Sequence, residues 1–157
     1  RQYSPGEVTY TCPADGGNLD VCLDYTAIRK SISPDTIKSS SDRSLWRYLP
    51  LLPVDDPGGE ATPLHAAGGT PHFIPAQLRD RMELSNLWIK DESRNPTASF
   101  KDRASAVVVA RARQTGAQVV VTASTGNAGA APRSAAGPRA ARRPRPRAPR
   151  STPRRRG

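Results

Sequence analysis

The sequence predicts an α/β fold: a small N-terminal β-hairpin, part of an open parallel sheet with helices, and a disordered C-terminal tail. A β-branched run at 118–122 leads directly into a glycine loop and a small-residue helix start, as in βαβ units. A helical pattern of apolar residues begins at Lys101. We therefore divide the chain into a hairpin and loop extension (1–44), the first part of a larger domain (45–131) and a tail (132–157).

The tail carries all of the excess charge. The chain has 24 Lys and Arg against 14 Asp and Glu, a net charge of +10, but 132–157 holds ten Arg, six Pro and no acid. Without large apolar residues it cannot bury a core, and its prolines exclude a continuous helix. One interpretation is a basic arm for nucleic acid. We favour the product of a shifted reading frame in a GC-rich gene, and expect no nucleic-acid partner for the body of the chain.

The chain contains two cysteines, Cys12 and Cys22, on either side of a Gly-Gly turn. Asp15 stands where a zinc knuckle would have its second thiolate, so we expect a hairpin within residues 3–25 and no metal. The sequence shows neither the apolar core of a secretion signal nor a run of about 18 apolar residues. We therefore expect a cytoplasmic location and no membrane partner.

The next segments alternate between loops and short packing elements. Residues 25–30 fit a turn or a short helix, and the Ser- and Asp-rich segment 31–43 predicts a loop. Residues 45–53 are strongly apolar, but two prolines keep them from forming a long helix. We expect Trp46 and Tyr48 in this segment to belong to the core.

More regular patterns follow a turn-rich loop at 57–64. Residues 76–84 place Leu78 and Met82 four positions apart, which indicates a short amphipathic helix. Residues 87–90 then predict a brief strand.

Lys101 is expected at the start of a helix that ends near Gly116. The helical repeat rests on four residues: Ala104, Val107, Val108 and Ala112. A lysine is unfavourable in the first turn, where free N–H groups and the positive end of the helix dipole lie. Such a field favours the neutral amine, which can attack a carbonyl, so the position suits Schiff-base chemistry with an aldehyde cofactor.

A second helix start follows the predicted strand 118–122. Its loop offers Ser124, Thr125 and Asn127. Free N–H groups at helix N-termini bind anions such as carboxylates. An amine beside an anion site suits an amino-acid substrate that is held by its carboxylate while a cofactor handles its nitrogen.

These residues also resemble a known family. Asn-Pro-Thr-Ala-Ser-Phe-Lys-Asp-Arg at 95–103, with Lys-Asp-Glu at 90–92 before it and Ser-Thr-Gly-Asn at 124–127 after it, resembles the N-terminal part of the threonine synthases. These are pyridoxal-phosphate (PLP) enzymes of fold type II, related to the tryptophan synthase β-subunit. Further segments match in order and place, namely 46–48 with 51–53, and 60–64. The resemblance covers roughly residues 5–131 and implies a partial fold of this type.

The resemblance implies a role for each matched residue. Lys101 would form the Schiff base with PLP and move protons between the substrate carbons. Asn127 would bind the cofactor's 3′-hydroxyl, and Ser124, Thr125 and Gly126 would hold the substrate carboxylate. The implied reaction converts O-phosphohomoserine and water to threonine and phosphate, so the partner would be a small amino-acid phosphate. A homo-oligomer is expected only for the full-length family.

Some features depart from the family. Its phosphate-binding loop and its partner for the pyridine nitrogen have no match here, and Ala128 replaces a threonine that is common in the family. We therefore expect weak PLP binding and an inactive or impaired chain. The alternatives are another enzyme of fold type II (a cysteate synthase, threonine dehydratase or cysteine synthase) or a basic nucleic-acid-binding fragment.

Other polar residues are expected to be structural. His65 and His72 are predicted on the surface, in loops without acidic partners. Structural ion pairs around the site are predicted for four residues: Asp91, Glu92, Asp102 and Arg103.

Overall fold

The computed structural model describes residues 1–7, 10–58, 62–124 and 126–136. Its α-helices are α1 (Tyr25–Ser31), α2 (Pro34–Ser39), α3 (Ala76–Arg81), α4 (Lys101–Gln114) and α5 (Asn127–Ala136). Its strands are β1 (His72–Phe73) and β2 (Ile89–Lys90), which pair antiparallel. Short 3-10 helices span Leu45–Leu51, Pro63–Ala66 and Glu92–Arg94. None of the described helices is long and apolar enough to cross a bilayer.

The N-terminal turn forms a minimal hairpin. Thr11 and Asn18 make one antiparallel bridge, and the Cys12 amide donates to the Gly17 carbonyl at 2.8 Å. The Cys12 thiol is buried and lies 3.1 Å from the Tyr3 hydroxyl. Within the described residues, no cluster of three or more His, Cys, Asp or Glu side chains could hold a metal ion.

The prediction of a loop at 31–43 is wrong, because α2 forms inside it. Ser33 accepts a hydrogen bond from the Thr36 amide, and the Thr36 hydroxyl accepts one from the Ser33 amide, which makes a capping box. Pro34 occupies the first helical position, where its missing N–H costs nothing. These start signals outweigh the polar composition of the segment.

The core is small and centres on Leu64, which is fully buried. Trp46 is 4% exposed and its indole N–H donates to the Leu64 carbonyl at 3.0 Å, which confirms its core position. Tyr48 is 37% exposed, so its predicted core position is wrong. Its ring instead lies beside the Arg47 guanidinium, 5.6 Å from the ring centre. The buried apolar cluster consists of Leu45, Trp46, Val54, Leu64, Ala67, Ala106, Val109, Ala110 and Ala135.

Two glycines allow the chain to cross itself closely. The Leu45 amide donates to the Ala67 carbonyl at 2.9 Å, and Gly68 and Gly69 have φ values of 96° and 62°. A Cβ on Gly68 would lie 2.4 Å from the Leu45 nitrogen. Only glycine fits both this backbone conformation and this spacing. The crossing holds Thr70 in place for the site described below.

The pairing of β1 with β2 places His72 in a strand, so its predicted loop position is wrong. His72 lies opposite Lys90, and Phe73 lies opposite Ile89. The predicted strand at 87–90 is thus present in its second half. A strand of two residues takes its identity from a partner that is distant in sequence, which explains why β1 has no local signal.

Helix α3 begins at Ala76 as predicted but ends at Arg81, before the predicted end at residue 84, and the apolar residues expected on one face are exposed. Leu78 is 43% exposed and Met82, at the end of the helix, is 54% exposed. Its apolar side therefore lies open within the described part of the chain.

Helix α4 begins at Lys101 as predicted and stops before Gly116, whose φ is 71°. The Ala117 amide donates back to the Ala112 carbonyl at 2.8 Å, as in a Schellman cap. The predicted apolar repeat is wrong, since Val108 is 52% exposed. The buried face instead carries mainly small residues, which allow α5 to pack closely: Asp102, Ser105, Ala106, Val109 and Ala110.

The predicted buried strand at 118–122 is also wrong. This segment contains one bridge residue, Val120, and no strand, and Val119 and Val121 are 52% and 65% exposed. A parallel strand needs neighbours on its edges. In the described part of the chain the named strands pair only with each other, so the expected open parallel sheet is not formed there.

Helix α5 crosses the predicted boundary of the tail, because it runs on to Ala136 with Pro132 inside it. Since proline has no N–H, it leaves the Ala128 carbonyl without its helical donor. The Thr122 hydroxyl approaches that carbonyl at 3.4 Å. Disorder predicted for 132–136 is therefore wrong. The rest of the predicted tail, 137–157, lies outside the described residues.

Candidate active site

The segment around Lys101, residues 92–103, is called the lysine turn below. Asn95 is 4% exposed and connects the start of this turn to the rest of the fold. Its side-chain carbonyl accepts from the Gly68 amide at 3.0 Å. Its amide group donates to the Glu92 carbonyl at 3.0 Å and to the Glu92 carboxylate at 2.8 Å. Asn95 thereby fixes the turn against the glycine crossing.

The backbone turns sharply at Ala98, whose φ is 53°. This left-handed conformation costs roughly 1–2 kcal/mol for a residue with a Cβ. The Ala98 amide donates to the Asn95 carbonyl at 2.8 Å, and the Ser99 hydroxyl accepts from the Lys101 amide at 3.2 Å. These bonds hold the strained residue and cap one free N–H at the start of α4.

Asp102 closes the turn from the helix side. Its side chain is buried, and its two oxygens accept from the Thr97 amide at 2.7 Å and from the Thr97 hydroxyl at 2.8 Å. A carboxylate in the first turn of a helix is also stabilised by the helix dipole. The loop in front of Lys101 is therefore tied to the residue directly after it.

Arg103 ties the same helix start to the 3-10 helix at Glu92–Arg94. Its guanidinium donates to both Glu92 oxygens, at 2.7 and 2.8 Å, and to the Thr70 hydroxyl at 2.9 Å. Thr70 in turn donates to Glu92 at 2.7 Å. The hydrogen bonds from Arg103 lower the pKa of Glu92 to about 2, and the same contact raises the pKa of Arg103.

The predicted ion pairs are therefore half right. Glu92 and Arg103 form one, with a geometry in which both partners are bidentate. Asp91 and Asp102 are hydrogen-bonded to the chain instead: Asp91 accepts from the Ser93 amide at 3.1 Å. Short side chains near a helix start reach backbone N–H groups more easily than a distant cation.

Lys101 itself is half-buried at the first position of α4. Its Nζ lies 4.4 Å from the centre of the Phe100 ring. Within the described residues, no hydrogen bond or ion pair to Nζ is present. In this part of the chain, the Lys101 Nζ therefore has only the Phe100 ring beside it, on a backbone that is fixed on both sides.

The other predicted site residues lie in residues 122–129, called the asparagine loop below. Asn127 begins α5 and is exposed, and the half-buried Ser124 accepts from the Gly126 amide at 3.2 Å. A Cβ on Gly129 would lie 2.1 Å from the Ser124 carbonyl oxygen, so the loop closes tightly on the helix. Thr125 lies outside the described residues.

The structure brings the two helices of the site together without joining their functional side chains. Helices α4 and α5 pack against each other, so the lysine turn and the asparagine loop precede neighbouring helices. In the described part of the chain, no hydrogen bond connects Lys101 with Ser124, Gly126 or Asn127. The Gly126 amide, expected to hold a carboxylate, donates to the Ser124 hydroxyl in this structure, and its predicted role stays a prediction.

His65 does have an acidic neighbour, contrary to its prediction. Its Nδ1 lies 3.6 Å from Asp42 and 3.5 Å from the Ser44 hydroxyl, because the glycine crossing brings these segments together. The imidazole is largely buried rather than on the surface. A cleft of about 450 Å³ borders these residues, and none of its lining residues belongs to the lysine turn.

Two residues of the lysine turn network were not assigned a role from the sequence. Asn95 belongs to the recognised motif, so its burial had a signal in the sequence. Thr70 had none, because its partners lie 22 and 33 positions away.

Comparison with known proteins gives a consistent result. Residues 63–137 match the model of the pyridoxal-phosphate dependent enzyme family. The chain is 38% identical to the threonine synthase of Methanocaldococcus jannaschii and 40% identical to that of Methanosarcina acetivorans, in each case over 83% of its own length. It is 35% identical to the threonine synthase of Synechocystis over 68% of its length. No solved structure matches it significantly.

The chain spans 31%, 30% and 28% of the length of these three relatives. The family match includes the whole lysine turn and the asparagine loop. Residues 63–137 are therefore similar to the pyridoxal-phosphate dependent enzymes, and the chain is similar, over part of their length, to the threonine synthases.

Proposed function

We propose that the chain carries the cofactor lysine and the substrate loop of a lyase that converts O-phosphohomoserine and water to threonine and phosphate. The observation that carries the proposal is the half-buried Lys101 side chain on a fixed helix start, whose amine has no hydrogen-bond partner among the described residues. Similarity to proteins named threonine synthase supports the choice of substrate. The activity is proposed for a protein with the complete family fold. We take the open parallel sheet of fold type II to be part of that fold.

The residues present fit the cofactor at two points. A primary amine without a hydrogen-bond partner in the described residues can react with the aldehyde of PLP. The side chain of Asn127 is exposed at a helix N-terminus and can donate to a ring hydroxyl. When bound, PLP supplies an electron sink for negative charge on the substrate carbons.

The chain's own residues would supply binding and proton transfer. Lys101 would hold the cofactor and, once released from it, accept a proton at Nζ and return it to another substrate carbon. Asn127 would orient the cofactor ring. Ser124, Thr125 and the backbone of Gly126 would hold the substrate carboxylate, aided by free N–H groups at the start of α5.

We expect the 157-residue chain alone to bind PLP weakly and to show little or no turnover. Val119 and Val121, directly before the asparagine loop, are exposed, so the loop lacks the support of a packed sheet. A loosely supported loop places its polar groups imprecisely, and misplacement of about 1 Å can cost a factor of about 100 in rate.

Trapping the amine tests the proposal. The purified chain is mixed with PLP over a concentration series, reduced with borohydride and mapped by peptide mass spectrometry. We expect label on Lys101 at lower PLP concentrations than on Lys38, an exposed lysine of α2. Lys101→Ala should remove this early label and its absorption band, whereas the matched control Lys38→Ala should leave both unchanged.

Equal labelling of both lysines in the unaltered chain would contradict the cofactor assignment. A separate binding assay that compares O-phosphohomoserine with serine addresses the substrate. If the chain traps PLP on Lys101 but binds the phosphorylated substrate no better than serine, the assignment to threonine synthesis is wrong while that of the lysine stands.

A further inference from the structure

We propose that Asp102 and Arg103 are positioning residues for Lys101: each anchors the lysine from a different direction through its own side chain. The inference rests on the proposed function, because it assigns how that function's lysine is placed. Neither side chain contacts Nζ in the structure, so both would act through the backbone of the turn.

Asp102 controls the chain before the lysine. Its carboxylate accepts both the amide and the hydroxyl of Thr97, at 2.7 and 2.8 Å. The bonds close a loop of six residues around the left-handed Ala98. Asp102 is 4% exposed, so water cannot easily replace them. Without this carboxylate, the strained turn loses the contact that holds it from the helix side.

Arg103 controls the direction of the helix after the lysine. The planar fork of its guanidinium meets both oxygens of Glu92, which is itself bound by Thr70 and Asn95. Asn95 also accepts from the Gly68 amide at the glycine crossing, and Thr70 directly follows that crossing in the chain. Two paired hydrogen bonds restrict rotation more than one charge contact does. The first turn of α4 is therefore oriented relative to the core.

The arrangement differs from ordinary surface ion pairing. The Glu92 and Arg103 side chains are 24% and 26% exposed, and every oxygen of Glu92 has at least one donor. Asp102 and Arg103 follow Lys101 directly and bond to different partners, Thr97 and Glu92. Two adjacent anchors with independent partners define both the place and the direction of the residue before them.

The test compares two kinds of amine chemistry at Lys101. Labelling with PLP and borohydride depends on how the Lys101 amine is positioned. Acetylation by acetic anhydride depends only on whether the amine is accessible. For each variant, label on Lys101 is divided by label on Lys38 in the same molecules, and the urea midpoint is measured in parallel. The variants are Asp102→Ala, Arg103→Lys and the matched pair Thr97→Val and Thr97→Ser.

We expect the PLP ratio to fall about tenfold in Asp102→Ala and in Arg103→Lys, while the acetylation ratio stays unchanged. Thr97→Val should lower the PLP ratio about threefold to fivefold, and Thr97→Ser, which keeps the hydroxyl, should restore it. An unchanged PLP ratio overturns the proposal. A parallel fall of both ratios also overturns it, because the residues would then control access to the amine.

Hydrogen exchange separates failure of this proposal from failure of the proposed function. If the unaltered chain shows no PLP preference for Lys101, the cofactor assignment fails, but the anchors can still be examined. Asp102→Ala should then speed exchange at the Thr97 amide, which donates to that carboxylate. Thr97→Val should speed hydrogen exchange at the backbone amide of Lys101 more than Thr97→Ser does. Equal exchange in this pair would show that the turn does not depend on the anchor.

Discussion

The lysine turn and the asparagine loop differ in how their positions are fixed. In the lysine turn, buried or half-buried acids accept hydrogen bonds of 2.7–2.8 Å from residues on several elements. In the asparagine loop, side-chain bonds are longer, 3.2–3.4 Å, and join residues at most six positions apart. The valines before this loop are exposed, whereas Ser99 and Asp102 in the turn are buried.

The two halves of the proposed site are therefore held in position by different kinds of contact. The lysine turn is held by polar contacts among the described residues. The asparagine loop needs packing on the segment before it, where a β-branched run finds no neighbour among the described strands. Changes in the two regions should therefore have unequal effects, and four predictions follow in order of size.

The largest loss is expected from Asn95→Ala in the lysine turn. The change removes three hydrogen bonds and leaves the Gly68 amide and a Glu92 oxygen without this partner. We expect the free energy of unfolding to fall by about 2–4 kcal/mol, as measured by urea denaturation. The exposed Asn86→Ala is the control, expected within about 0.5 kcal/mol. Equal effects of the two variants would mean that the network does not stabilise the fold.

A smaller loss is expected from Gly129→Ala in the asparagine loop. The new Cβ would lie 2.1 Å from the Ser124 carbonyl oxygen, so the loop must shift. We expect a loss of about 1–3 kcal/mol in the same measurement. Gly126→Ala is the matched control, since no atom lies within 4 Å of its Cβ position. An unchanged free energy of unfolding in Gly129→Ala would show that the asparagine loop can shift at no cost.

Part of the pH dependence of stability should come from the lysine turn. Arg103 lowers the folded-state pKa of Glu92 to about 2, below its ordinary value of 4.5. The stabilisation is complete above pH 4.5 and is lost as the pH falls towards 2. Because the pair is partly exposed, we expect about 1–2 kcal/mol. Urea titrations at several pH values should show this loss in the unaltered chain and not in Glu92→Gln; matching curves would contradict it.

The smallest effect is expected from Val121→Thr, before the asparagine loop. Val121 is 65% exposed, so the change should alter stability by less than about 0.5 kcal/mol. The buried Val109→Thr in α4 is the matched control, and it should cost about 1–3 kcal/mol because a hydroxyl enters the core. A large effect of Val121→Thr would show that residues 118–122 form the buried strand that their sequence predicts.

Local signals predicted local structure well. The start of α4 at Lys101 and its end at Gly116 follow from a helical pattern and a glycine that adopts φ of 71°. Trp46 was placed in the core because large apolar residues beside prolines tend to pack. The presence of the nine-residue motif also led to the family that the comparisons support.

Features that depend on distant partners were missed. Thr70 joins Glu92 and Arg103 only because the glycine crossing delivers it there, and no pattern near residue 70 encodes this. Residues 118–122 have strong β propensity, but propensity makes a strand only where another strand pairs with it. Val108 was expected on the buried face of α4. Close packing against α5 instead buries the small residues Ala106 and Ala110 of α4.

The left-handed conformation of Ala98 bears on how the site tolerates mutation. A glycine would adopt a φ of 53° without help, so its neighbours could vary freely. With alanine, the turn persists only while Asn95 and its surroundings outweigh the local cost. Substitutions of those neighbours would therefore change the position of Lys101 directly. With alanine at position 98, the turn has fewer accessible conformations but tolerates fewer mutations in its neighbours.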